Sequence, residues 1–229
     1  MQPDEFDEYA ASYDAALEQG ISVSGESKDF FAAGRVEWLK QCLKAMQYAP
    51  AHLLDFGCGT GSATPWLKEA FGPQSILGVD LSEKSITVAR DTHGSDTVSF
   101  CTLSDWTPDA EVDLAFCNGV FHHIPPPDRD AAARSVFEAL RPGALFALWE
   151  NNPWNPGTRY VMSRIPFDRD AIMLWPGEAR RLLQKQGFEI LRTDFLFIFP
   201  RRLRALRSLE PALSRLPLGA QYQVLARRP

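Results

Sequence analysis

Closely paired cysteines are missing from this chain: Cys42, Cys58, Cys101 and Cys117 are its four, and no two stand near each other. That spacing argues against metal-binding and disulfide frameworks and for small buried side chains in a reducing compartment. No apolar run approaches the roughly 20 residues needed to cross a bilayer. The acidic start, Met1 to Glu8, lacks the basic-then-apolar pattern of a secretory signal. The expectation is a cytoplasmic chain with no integral membrane segment. Positive charge is in deficit, 24 basic against 29 acidic residues, which disfavours a nucleic-acid partner. Internal repeats and low-complexity tracts are also lacking.

What is present suits one globular domain of 229 residues, 45% hydrophobic and 23% charged. Charge is unevenly spread. Residues 1 to 30 carry eight acids and one lysine, whereas Glu178 to Pro229 carries ten arginines and one lysine against four acids. Phe6, Tyr9 and Tyr13 have helical spacing. Ala32, Val36, Leu39, Leu43 and Met46 form the apolar stripe of an amphipathic helix from Lys28 to Gln47, with Arg35 beside it. Beyond Pro50, strands and helices alternate. Strands are expected at the start of Leu53 to Gly61 and at Ser75 to Val79, Val98 to Thr102, Asp113 to Cys117 and Ala144 to Trp149. Ser82 caps one helix, and another, Asp128 to Leu140, is closed by a turn at Arg141-Pro142-Gly143. This alternation predicts a doubly wound α/β fold with a parallel sheet. Asn151 to Pro176 breaks the pattern with four prolines, four large aromatics and several charges. A helix at Gly177 to Gln186, a strand at Phe188 to Phe199, a basic helical segment at Arg201 to Leu216 and a strand at Gln221 to Ala226 follow.

The chemistry starts at Leu53-Leu-Asp-Phe-Gly-Cys-Gly-Thr-Gly61, a buried strand running into a loop with glycines at alternate positions. Such glycines mark either backbone angles that other residues avoid or a ligand lying against the main chain. Asp80 ends the next strand, where a carboxylate can accept from both hydroxyls of a ribose. A dinucleotide fingerprint is not matched, because position 62 is Ser62 rather than glycine.

The chain resembles the class I S-adenosylmethionine-dependent methyltransferases of small-molecule type. The resemblance rests on Asp55-Phe56-Gly57-Cys58-Gly59-Thr60-Gly61, Asp80, Asn118-Gly119-Val120-Phe121-His122-His123-Ile124 and Leu140-Arg141-Pro142-Gly143, with Phe6-Asp7-Glu8-Tyr9-Ala10 and Tyr13-Asp14 in front. It implies S-adenosylmethionine as cofactor and a Rossmann-like seven-stranded sheet with a reversed last strand pair. It also implies cofactor contacts from Asp55, Phe56, Gly57, Cys58, Gly59 and Gly61 to the methionyl part, and from Asp80 and Leu81 to the ribose and adenine. Ser104, Asp105 and Trp106 would meet the adenine, Asn118 and Gly119 the opposite face, and Tyr13 and Arg35 would close over the top. The single domain, 1 to 229, then divides into an N-terminal helical lid (1 to 50), a cofactor core (51 to 150), a substrate-lid insertion (151 to 177) and a C-terminal strand pair with a basic helical insertion (178 to 229).

Methyl transfer is an in-line displacement, so alignment and exclusion of water matter more than a strong base. His123, His122 and Glu150 are the candidate catalytic residues, and adjacent histidines point different ways, so at most one of those two takes a proton. In the insertion, Trp154 is a candidate substrate wall, and Arg159 and Arg164 are candidates to attract an anionic group. Arg164, Asp168, Arg169 and Asp170 have the simpler alternative of pairing among themselves. Arg201, Arg202, Arg204 and Arg207, interleaved with leucines, suit peripheral contact with an anionic membrane and a lipid-linked substrate. The expected activity is methyl transfer to oxygen or nitrogen of a small metabolite. The alternative is a non-catalytic protein that keeps the cofactor fold for sensing or partner binding. Protein or nucleic-acid methylation is disfavoured, because Asn118-Gly119-Val120-Phe121 stands where an Asn-Pro-Pro-Tyr tetrad would be. The oligomeric state is not encoded in any of these motifs.

Overall fold

The computed structural model describes residues 20–165, 168 and 171–229. The N-terminal helical reading, with Tyr13, lies outside them. Helix α1 (Lys28–Ala45) is started by Ser27, whose Oγ accepts the Phe30 N–H at 3.2 Å. Its expected stripe is buried at Ala32, Val36, Leu39 and Leu43, while Met46 falls beyond the helix and is exposed. Arg35 is buried with the stripe rather than beside it.

The remaining helices and strands alternate as the sequence predicts: β1 (His52–Phe56), α2 (Thr64–Phe71), β2 (Ser75–Asp80), α3 (Glu83–His93), β3 (Val98–Thr102), β4 (Val112–Asn118), α4 (Arg129–Ala139) and β5 (Leu140–Asn151). Pro65 sits in the first turn of α2, where its missing N–H costs nothing, and Ser82 caps α3 by accepting the Ser85 N–H at 3.1 Å. One boundary differs. Arg141-Pro142-Gly143 does not precede β5 but is an irregularity inside it, where the register against β4 slips between Val112 and Leu114.

The insertion is less loop-like than its prolines suggest. It holds α5 (Pro156–Arg164), capped by Asn155, whose Oδ1 accepts the Thr158 N–H at 3.1 Å. Then come α6 (Pro176–Lys185), β6 (Glu189–Leu196), a 3-10 turn series at Arg201–Leu209, the short α7 (Glu210–Leu213) and β7 (Gln221–Arg227).

The seven strands stand in the order β3-β2-β1-β4-β5-β7-β6. Neighbours from β3 through β5 are parallel, and β7 runs antiparallel to both β5 and β6. Alternate side chains of each strand enter two separate apolar layers. Leu54, Phe56, Ala115 and Phe146 pack with α4 and α6 on one face, and Leu53, Leu114, Phe116 and Trp149 pack with α1, α2 and α3 on the other. The chain leaves β1 toward β2 on one side and reaches β4 on the other. The crevice between the carboxyl ends of β1 and β4 is therefore the switch point where such sheets bind ligands.

Candidate functional site

The loop after β1 is built by its own main chain. Gly57 and Cys58 donate their N–H groups to the Val79 carbonyl at 2.8 and 3.0 Å, folding the loop back over β2. Gly57 has φ +72°, and a Cβ there would meet Val120 Cγ2 at 2.3 Å, so this glycine lets the β1 and β4 loops close on each other. Gly59, at φ +53°, has nothing among the described residues within 4 Å of an added Cβ: its face is a cradle open to a ligand. Asp80 joins loop and strand, accepting the Gly59 N–H at 2.8 Å and the Ser82 N–H at 2.9 Å, one on each oxygen. The carboxylate keeps acceptor capacity for a ribose hydroxyl.

Asp55 lies under this loop, 2% exposed, and its buried Oδ2 has no hydrogen-bond partner among the described residues. Burial, and next the Asp80 carboxylate, raise its pKa to about 7 against the opposing charge of Arg35. Such a group is costly to bury until a donor, above all a cationic amino group, reaches it. Arg35 donates to Gln221 Oε1 at 3.0 Å, tying α1 to β7 above the crevice.

The other expected cofactor residues divide. Asn118 ends β4 and Gly119 follows it, both lining the crevice, with the Gly119 N–H fixed on the Trp149 carbonyl at 2.9 Å. The Phe56 ring faces Trp106 and Phe121 in the core, so only its backbone belongs to the loop. Cys58 is buried, and Leu81 is exposed at the end of β2. Ser104 and Asp105 are exposed and bound to Thr102 Oγ1, at 2.8 and 2.7 Å.

A cavity of about 390 Å³ runs from Ser62, Asn118 and Gly119, past Arg35, to a second set of residues brought together from distant segments. Phe30 and Phe31 of α1 meet Phe197, ring centroids 5.9 and 5.0 Å apart, to form an aromatic end. Arg207 lies 4.4 Å above the Phe30 ring and pairs with Glu26 at 2.5 Å. His122, His123 and Asp168 line the other wall. His122 Nδ1 is 2.6 Å from Glu150 Oε2, and Glu150 Oε1 accepts the Phe121 N–H at 2.8 Å. Asp168 Oδ1 stands 3.2 Å from His123 Nε2 and 3.6 Å from His122 Nε2.

Burial alone would lower the His122 pKa, but Glu150 and Asp168 outweigh it and raise it to about 10, so the ring carries a proton at neutral pH. His123 is lowered, by burial and then by the charge on His122. Asp168 resists its own burial through its contacts with both rings and is held at about 2. The two candidate histidines therefore differ in kind. His122 is a locked cation rather than a base, and His123 is the one kept neutral. Glu150 is fully used as the partner of His122 and Phe121.

The predicted substrate residues of the insertion are placed elsewhere. Trp154 is half exposed and packs against Trp175 and Phe195 at 5.6 and 6.1 Å. Arg159 is exposed, and Arg164 stacks over the Tyr160 ring and donates to its hydroxyl at 2.8 Å. The cause is helix α5, which turns Arg159, Tyr160 and Arg164 to its outer face and Thr158, Met162 and Ile165 inward; the last three line the cavity. Asp168, read in the sequence as a partner for neighbouring arginines, meets the histidines, while Arg169 and Asp170 lie outside the described residues. Sequence reasoning also missed Phe30, Phe31 and Phe197. Adjacent phenylalanines at the head of an amphipathic helix were the one local signal.

A family model described as a methyltransferase domain matches residues 54–146. A trans-aconitate 2-methyltransferase of Azoarcus sp. is 29% identical over 116 residues, 51% of this chain and 45% of its own. One of Acidovorax sp. is 36% identical over 100 residues, 44% of this chain and 38% of its own. The match to these relatives thus spans half their length or less. An S-adenosylmethionine-dependent methyltransferase from Mesorhizobium loti, solved as a crystal structure, is 25% identical with a TM-score of 0.60, over 84% of this chain and 98% of that one.

Proposed function

The chain belongs to the class I S-adenosylmethionine-dependent methyltransferase superfamily, and from that premise we propose that it transfers a methyl group to oxygen or nitrogen of a small metabolite with an apolar body. The observation that carries the reading is the continuity of the cavity, which leads from the cofactor loops at Ser62, Asn118 and Gly119 to Phe30, Phe31, His123 and Asp168. The residues present fit S-adenosylmethionine: the Asp55 Oδ2, unpartnered among the described residues, suits its amino group, the open face of Gly59 admits its methionyl chain, and the remaining acceptor capacity of Asp80 suits its ribose. When bound, S-adenosylmethionine supplies an electrophilic methyl on a sulfonium sulfur.

The protein's share of the work is alignment. Phe30, Phe31 and Phe197 hold the apolar body of the acceptor and exclude water, and Arg35 and Arg207 are the cations placed to meet an acidic group. The relatives named for trans-aconitate support a small acid as acceptor, which reaches the site already ionised and needs no base. For a hydroxyl or amine acceptor, the neutral His123 is the group to take the proton, and His122 serves to fix the wall. Peripheral membrane contact finds support in the exposed Leu203, Leu206 and Leu209 beside Arg201, Arg202 and Arg204. Failure to sediment with phosphatidylserine vesicles removes it.

The test is transfer from methyl-tritiated S-adenosylmethionine to panels of small acids, phenols and amines. Label in one acceptor class, with S-adenosylhomocysteine released in step, is expected. Tight cofactor binding with no transfer to any class favours the sensing or partner-binding alternative.

A further inference from the structure

The wall formed by His122, His123 and Asp168 has more in it than methyl transfer requires. A carboxylate acceptor needs no base, and a hydroxyl needs one, yet two imidazoles and two carboxylates meet here, and three of the four are buried: His122 is 3% exposed, Asp168 8% and Glu150 1%. We propose that His122 Nε2, His123 Nε2 and Asp168 Oδ1 form a binding site for one divalent cation of the zinc, iron or cobalt class, open toward the cavity.

The geometry favours an ion over hydrogen bonds alone. One ligand atom from each residue lies within 4.8 Å of the others. Bonds of about 2.0–2.2 Å to a common centre place donor atoms roughly 3–3.5 Å apart. Asp168 Oδ1 is 3.2 Å from His123 Nε2 and 3.6 Å from His122 Nε2. The second distance is too long for a hydrogen bond and close to the spacing of two ligands. The outer shell is also in place. His122 turns Nδ1 to Glu150 at 2.6 Å, which points Nε2 toward Asp168, and Glu150 is itself fixed by the Phe121 N–H at 2.8 Å. A carboxylate behind a ligating histidine is the arrangement that sets ring orientation at metal sites.

Asp168 is held to the histidine loop by main-chain bonds. The Ile172 N–H donates to the His122 carbonyl at 2.9 Å, and Arg129 donates to the carbonyls of both Ile124 and Ile172, at 3.0 and 2.5 Å. Charge balances once the ion displaces the His122 Nε2 proton, since two carboxylates and two neutral imidazoles then carry a charge that one dication offsets. Two imidazole nitrogens and one carboxylate oxygen suit a borderline first-row ion and leave coordination positions free. Those positions face the cavity, where an oxygen or nitrogen of the acceptor would complete the shell; this role, though not the binding itself, rests on the methyltransferase reading.

The experiment uses the full chain, stripped with chelator and titrated with zinc chloride by calorimetry and with cobalt chloride by visible absorption. One ion per chain is expected, with His123→Gln and Asp168→Asn weakening it at least tenfold and Glu150→Gln by about 10–100-fold. His93→Gln, remote from the cluster, serves as the control and should bind as wild type does. Circular dichroism confirms each fold, and His123→Gln carries the test if Asp168→Asn does not fold. No binding by the wild type, or an affinity unchanged in all three cluster variants, overturns the site. Cofactor affinity measured in chelator reports separately on the methyltransferase reading.

Discussion

The two ends of the cavity are made in different ways. At the cofactor end, backbone groups from contiguous stretches do most of the work: the loop after β1, the carboxylate ending β2 and the turn after β4, all inside residues 54–146 where the family model matches. At the acceptor end, side chains arrive from α1, the β4 loop, the insertion and the turn after β6, and only tertiary packing brings them together. The difference teaches that a loop held by its own main chain tolerates little change, whereas a wall assembled from side chains can be rebuilt without disturbing the sheet. The alignments to trans-aconitate relatives, which span half of their lengths or less, accord with this.

That contrast can be broken most severely at the one acceptor-side residue that is also structural. Glu150→Leu removes the buried partner of both His122 and the Phe121 N–H, and should cost about 3–5 kcal/mol in urea denaturation. A loss below about 1 kcal/mol would show the two ends to be independent there. Gly57→Val drives a branched side chain against Val120 from a backbone angle it resists, and a loss of about 2–4 kcal/mol is expected. The matching change on the acceptor side, Phe31→Leu, should leave stability nearly intact, with a loss of about 1 kcal/mol, and raise KM.

How far each end could be read from the sequence follows from the same contrast. Glycines at alternate positions and an acid at the next strand's end are local signals, and both stand where expected. The parallel direction of β1 to β5 was also legible, because intervening helices impose parallel crossovers, and the reversed last pair followed from the family resemblance. Trp154, Arg159 and Arg164 were not, because their direction is set by α5. Nothing in the residues before Asn155 announces that helix except its cap and Pro156. The contacts of Asp168 with the histidines were not legible for a related reason. Those histidines lie some 45 residues earlier, and the docking of Ile172 on His122, with Arg129 bridging Ile124 and Ile172, joins the two segments.

A subtler effect separates the two histidines. In chelator-treated protein, the His122 pKa is raised to about 10, above an unfolded value of about 6.5, so its contribution to stability is complete below pH 6.5 and is lost as pH climbs through 10. Asp168 behaves oppositely. Held at about 2, it contributes above its unfolded value of about 3.9 and loses that contribution as pH falls toward 2. The thermal midpoint should therefore decline between pH 7 and 10 in the wild type and decline less in His122→Gln. Parallel profiles would remove the ion-pair account of His122.

The smallest effects sharpen the boundary of the site. Arg159→Ala and Arg164→Ala should change stability by less than about 0.5 kcal/mol and leave acceptor KM unaltered, since both side chains are exposed and outside the cavity lining. Arg207→Ala, which removes a cavity cation stacked on Phe30, should raise KM for an acidic acceptor about tenfold. An Arg159 or Arg164 effect as large as that of Arg207 would relocate the acceptor to the outer face of α5.

The cofactor end underlies every other statement, and calorimetric titration of S-adenosylmethionine into wild type and Asp80→Ala tests it most directly. The account predicts one site per chain in the wild type and no measurable heat in Asp80→Ala, whose loop would lose the carboxylate that holds Gly59 and is placed to receive the ribose. Micromolar binding retained by Asp80→Ala would contradict it.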